Sequence, residues 1–190
     1  MVLSDPVIVT WVALVAATVR VDELPEMTDA GLAQLKRLTS LEHLDLSDTQ
    51  VTDAGLAHIE GLRKLETLDL ENTHVNDAGL VSLKGLTGLR DLNLVKTRVT
   101  DAGLEQLQGL TNLERIRLDG TRVTDAGIVH LKGLNKLRQL VLINTQVTDA
   151  GLEHLKGLTG LEELVLTNTQ LTDAGVAELK QALPRLRIYR

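Results

Sequence analysis

The chain has 190 residues, 43% of them hydrophobic and 24% charged, which suits one folded domain long enough to bury a continuous core. A formal charge of −6 argues against a nucleic-acid partner, and the absence of Cys excludes both a disulfide framework and a Cys-based zinc site. No apolar run of about 18 residues is present to span a membrane, and one Trp, one Tyr and no Phe leave the core to Leu and Val.

At the N-terminus, Ser4-Asp5-Pro6 reads as a helix start, with Asp as N-cap and Pro as the first helical residue. Ile8, Trp11 and Leu14 follow in steps of three, while Val7, Val9, Val12 and Val15 make the other sides apolar as well. Residues 1–21 are expected to be a degenerate repeat that caps the chain, with Val19 and Val21 in a first strand before a longer turn through Pro25. The surplus apolar surface leaves three uses open. It could be an export signal, against which stand Asp5 and the lack of an early Lys or Arg. It could be the remnant of a longer chain, or a cap that also meets a second copy or another domain.

From residue 22 to residue 182 a single unit recurs. Asp-Ala-Gly begins at Asp29, Asp53, Asp77, Asp101, Asp125, Asp149 and Asp173, always 24 residues apart, and Asp5 lies one period earlier. The full unit is L-x-x-L-x-L-x-x-T-x-V-T-D-A-G-L-x-x-L-x-G-L-x-x, with one copy running from Leu89 to Asn112. The alternation in Leu92-Asn93-Leu94 predicts a short strand with one buried face, and the spacing of Leu104, Leu107 and Leu110 predicts a helical segment. The Asp is expected to cap that helix, with the preceding Thr as a substitute cap, and the Gly to let the helix start lie close to the strand layer. Thr49, Thr73, Thr97, Thr121, Thr145 and Thr169 are expected to form an internal ladder that satisfies backbone groups where each strand turns away. Residues 183–190 are expected to close the stack with a last strand, Leu186 and Tyr189 standing at the positions of Leu161 and Leu164 and three Arg keeping the edge polar.

The L-x-x-L-x-L-x-x-T-x-V segment resembles the leucine-rich repeat signature with Thr in the Asn position, and its T-D-A-G-L continuation resembles the bacterial 24-residue, ribonuclease-inhibitor-like class. The resemblance covers roughly residues 19–190. It implies an α/β fold: a right-handed horseshoe with a concave parallel sheet and short helices on the convex side. It also implies that the concave strands contact a protein partner. The scarcity of aromatic residues departs from what a very tight, aromatic-anchored interface needs.

Three positions per strand should point outward from the concave sheet. The third gives the row His43, Thr67, Asp91, Arg115, Gln139, Glu163. The fifth gives Asp45, Asp69, Asn93, Arg117, Val141, Val165, and the seventh Ser47, Glu71, Val95, Asp119, Ile143, Thr167. An acidic zone (Asp45, Asp69, Glu71), a mixed centre (Asp91, Asn93), a basic band (Arg115, Arg117) and an apolar patch (Val141, Ile143, Val165) form the candidate partner-binding face. The alternative is a structural or vestigial repeat array that is part of a larger assembly or of a truncated protein, without its own ligand, whose charges merely solvate the sheet. Adjacent Asp45 and Asp69 lack the enclosure that acid–base catalysis requires, and His58, His130 and His154 read as a tolerated helix-surface residue rather than zinc ligands. No phosphate loop or nucleophile motif is present. The expectation is therefore a non-enzymatic, cofactor-free and metal-free protein-binding module, more consistent with the cytoplasm than with a membrane, with self-association through the apolar N-terminal segment left open.

Overall fold

The computed structural model describes residues 18–19 and 27–190. The expected capping helix from Asp5, and Val21 and Pro25 of the first turn, lie outside the described residues. Eight parallel strands form one sheet in sequence order: β1 (Thr18–Val19), β2 (His43–Asp45), β3 (Thr67–Asp69), β4 (Asp91–Asn93), β5 (Arg115–Arg117), β6 (Gln139–Val141), β7 (Glu163–Val165) and β8 (Arg187–Tyr189). Between them run short helices: α1 (Asp29–Leu35), α2 (Asp53–Leu56), α3 (Asp77–Leu80), α4 (Asp101–Glu105), α5 (Asp125–Ile128), α6 (Asp149–Leu155) and α7 (Asp173–Ala182). Strands pack on neighbouring strands and helices on neighbouring helices, so each unit touches mainly the units before and after it.

The repeat dictates the core. Leu41, Leu44, Leu46, Val51, Leu56, Ile59 and Leu62 of one unit are all buried, and their equivalents stack in register through the later units. From β2 to β8 the pairing offset equals the repeat, as in Leu44↔Leu68↔Leu92. At β1 Val19 registers against Leu44, one residue more than the repeat, which accommodates the longer turn expected there.

The spacing of three in the helical half has a direct backbone cause. Leu107 N–H donates to Leu104 O, Leu110 N–H to Leu107 O and Leu113 N–H to Leu110 O. Each is an i→i−3 bond, so after one α-turn the chain continues as 3₁₀-like turns, and two such stretches are regular 3₁₀ helices (Val81–Gly85 and Val129–Leu131). Side chains three apart then eclipse on the same side, which is how a short segment keeps every Leu pointed at the core.

Three sequence expectations are corrected. First, the N-cap is the Thr and not the Asp: Thr52, Thr124 and Thr148, and Asn76 in their place, accept the N–H of the Ala two residues on. The Asp instead reaches into the next repeat. Asp77 Oδ1 accepts Thr100 N–H at 2.7 Å and its Oδ2 accepts the Thr100 hydroxyl at 2.7 Å, and Asp29, Asp101, Asp125 and Asp149 bind Thr52, Thr124, Thr148 and Thr172 in the same way. Second, the repeat Gly makes room for that carboxylate rather than for the strand layer: a Cβ on Gly103 would lie 2.5 Å from Asp77 Oδ1. Third, the ninth-position Thr residues form no ladder between repeats. Each donates its hydroxyl to the carbonyl three residues back, as Thr97 does to Leu94 O at 2.7 Å, satisfying a carbonyl that the sheet leaves free as the strand turns away.

The C-terminal strand also differs from expectation. Ile188, not Tyr189, registers with Leu164, and Tyr189 pairs with Val165. The residue by which this last unit exceeds the repeat is absorbed after Leu186, which stays buried, so Tyr189 turns to the outward side and is 47% exposed.

Candidate partner-binding face

The register places the predicted rows as rows. His43, Thr67, Asp91, Arg115, Gln139, Glu163 and Arg187 are consecutive partners, as are Asp45, Asp69, Asn93, Arg117, Val141, Val165 and Tyr189. Parallel pairing at about 4.8 Å per strand turns a difference between repeats into a step along the face.

In the acidic zone the carboxylates hold the backbone as well as facing outward. Asp45 Oδ1 accepts the N–H of Ser47 at 3.0 Å, Asp69 Oδ1 that of Glu71 at 2.9 Å, and Asn93 Oδ1 that of Val95 at 3.1 Å. Asn93 also donates its amide to Asp69 Oδ2 at 2.9 Å and to Glu71 Oε2 at 3.3 Å, which is why it is 4% exposed rather than a free surface group. Burial pushes the Asp69 carboxyl above the usual carboxylate range against these hydrogen bonds, with Asp45 and Glu71 adding repulsion. Lys96 approaches Glu71 at 3.6 Å.

At the centre, Arg115 closes on Asp91 at 2.8 Å, so those two expected site residues largely neutralise each other. Arg117 makes no ion pair among the described residues. A depression of about 260 Å³ lies between the acidic and basic sides, walled by Thr67, Asp69, Asn93, Arg117 and Gln139. In the turn after β5, Asp119 Oδ2 is buried with no hydrogen-bond partner among the described residues, and burial raises the Asp119 carboxyl above its ordinary range despite the neighbouring Arg117.

The apolar patch is not composed as expected. Val141 is 8% exposed and belongs to the packed surface of the sheet, whereas Ile143 and Val165 are half-buried. Tyr189, beside Val165 on β8, is the larger apolar surface there, and counting it in phase from the helical half hid it. Asp119 was legible as a row member but not as an unpaired group, because pairing depends on what the turn of the next repeat supplies. His130 and His154 join no cluster of three or more metal-ligating side chains among the described residues.

Residues 39–86 match the family model described as leucine rich repeats in two copies. No curated protein matches the chain significantly. Among solved structures, an internalin C2 from Listeria monocytogenes is similar, with a TM-score of 0.64 and 28% identity over 85% of this chain and 76% of its own. An internalin (inlF) from the same organism is 20% identical over 83% of this chain, with a TM-score of 0.47, and this chain covers 56% of it. The family-model match, the likeness to internalin C2 and the sheet order together define a leucine-rich-repeat solenoid. Folds of this class are generally protein-interaction modules.

Proposed function

We propose that the protein binds a protein partner through the concave sheet and performs no chemistry there. The observation that supports this reading best is the division of labour within the repeat. Leu, Thr, Asp and Gly positions recur because packing and hydrogen bonding between units require them, while the outward strand positions change from acidic to basic to apolar along one face. Asp45, Asp69, Glu71, Arg117, Ile143 and Val165 are candidate residues of this face with surface to offer, as are the ion-paired Asp91 and Arg115, and Tyr189 joins them. We take the T-D-A-G-L unit as the bacterial 24-residue variety, and residues 1–21 and 183–190 as the caps of one repeat domain.

The test is face-directed substitution in a capture experiment with the whole chain. Ile143→Glu together with Arg117→Glu on the sheet is compared with Glu105→Lys on α4, an exposed helix residue. Loss of a captured protein with the sheet variant and retention with the helix variant is the expected result. Equal capture by both variants would overturn the reading, provided that each keeps its far-ultraviolet circular dichroism.

A further inference from the structure

The fifth-position row carries an order of chemistry that constrains the partner. Asp45 and Asp69 stand on β2 and β3, with Glu71 beside them, and the one cation paired with this group among the described residues is Lys96 at 3.6 Å from Glu71. Among the described residues negative charge is therefore in excess around these three carboxylates, and burial already disfavours the ionised form of Asp69. Two strands further on, Arg117 is exposed and unpaired among the described residues, while Arg115 beside it is held by Asp91. Another two strands bring Val165, and β8 follows with the exposed Tyr189. Two strand spacings are about 10 Å, close to the rise of three residues of polyproline-II-like extended chain at about 3.1 Å each, a conformation that returns every third side chain to the same side.

We propose that the partner docks as an extended segment laid across the strands. It presents a Lys or Arg to Asp45, Asp69 and Glu71, an Asp or Glu to Arg117 about three residues later, and an aliphatic or aromatic side chain to Val165 and Tyr189 about three residues after that. This inference rests on the concave-face reading and adds the chemistry, order and spacing of what is bound. Laid in the opposite direction, the segment would set its apolar side chain against the acidic group and its cation against Val165 and Tyr189, so the face discriminates direction as well as composition.

The probe is a displayed library of random 12-residue peptides selected on the whole chain, followed by fluorescence anisotropy of the enriched peptides as synthetic ligands. Enrichment of cation-x-x-anion-x-x-apolar sequences is expected. Their affinity should fall about tenfold with Arg117→Glu and recover when the peptide acid is exchanged for Lys, a reciprocal swap that a folding defect cannot mimic. Enriched peptides that lose binding with Ile143→Glu but lack this order and ignore Arg117→Glu would overturn the inference and leave the concave-face reading standing. Selection of no peptide would likewise overturn the extended-segment inference alone. Peptides indifferent to every sheet substitution would overturn both.

Discussion

Asp77 accepts two hydrogen bonds from Thr100, each at 2.7 Å, and lies where a Cβ on Gly103 would fall. One carboxylate thus explains three letters of the repeat: the Asp of one unit and the Thr and Gly of the next. Hydrogen bonds to a charged acceptor contribute roughly 1.5–3 kcal/mol, so Asp77→Ala should lower stability by about that amount in urea unfolding. Gly103→Ala should cost a similar amount, because the new methyl and the carboxylate cannot occupy the same space. The two effects should not add. Once Asp77 is Ala the main clash is gone, and the double variant should be clearly less destabilised than the sum of the singles. Full additivity would mean that the Gly serves some other contact.

The turn after each strand places its eighth residue in the left-handed region, with φ between 53° and 68° at Asp48, Asn72, Lys96, Gly120, Asn144 and Asn168. Asn, Asp and Gly tolerate that conformation, but Lys does not, and the cost is about 1 kcal/mol. Lys96→Asn should therefore raise the melting temperature, since the exposed contact with Glu71 that it removes is worth little. A lower melting temperature would show that this contact matters more than the backbone. The turn also shows what the sequence makes legible. Phase alone predicted strand register and core, because a parallel stack must align like with like. It ranked the Asp before the Thr as the cap, because helix-cap preferences describe the helix that follows and contain no knowledge of the neighbouring unit that competes for the Asp. It misplaced Tyr189, because one surplus residue can be absorbed on either side of Leu186, and only pairing between β7 and β8 decides which.

Across the whole molecule, the concave sheet carries charges that burial disfavours. For Asp119 the folded-state carboxyl titrates above its ordinary range, so the folded form binds its proton more tightly than the unfolded chain does. Its ionisation therefore weakens the fold as pH rises through that interval, and the penalty is fully present above it. Asp149 acts in the opposite sense: hydrogen bonds from Thr172 lower its carboxyl, a contribution present above the ordinary range and lost as pH falls. Asp119→Asn isolates the first effect. The variant should be more stable than the parent at pH 7, with the difference shrinking as pH drops toward about 4. A difference independent of pH would mean that the unpaired Oδ2, and not its charge, sets the cost.

These disfavoured groups lie on the face proposed to meet a partner, where an incoming cation would relieve them. The most direct test places a photo-crosslinking amino acid at Gln139 on β6 or at Glu105 on α4 and compares the proteins captured after illumination. A discrete crosslinked partner from position 139, with none from position 105, is the expected result. The same partner from position 105 alone would contradict binding through the concave sheet.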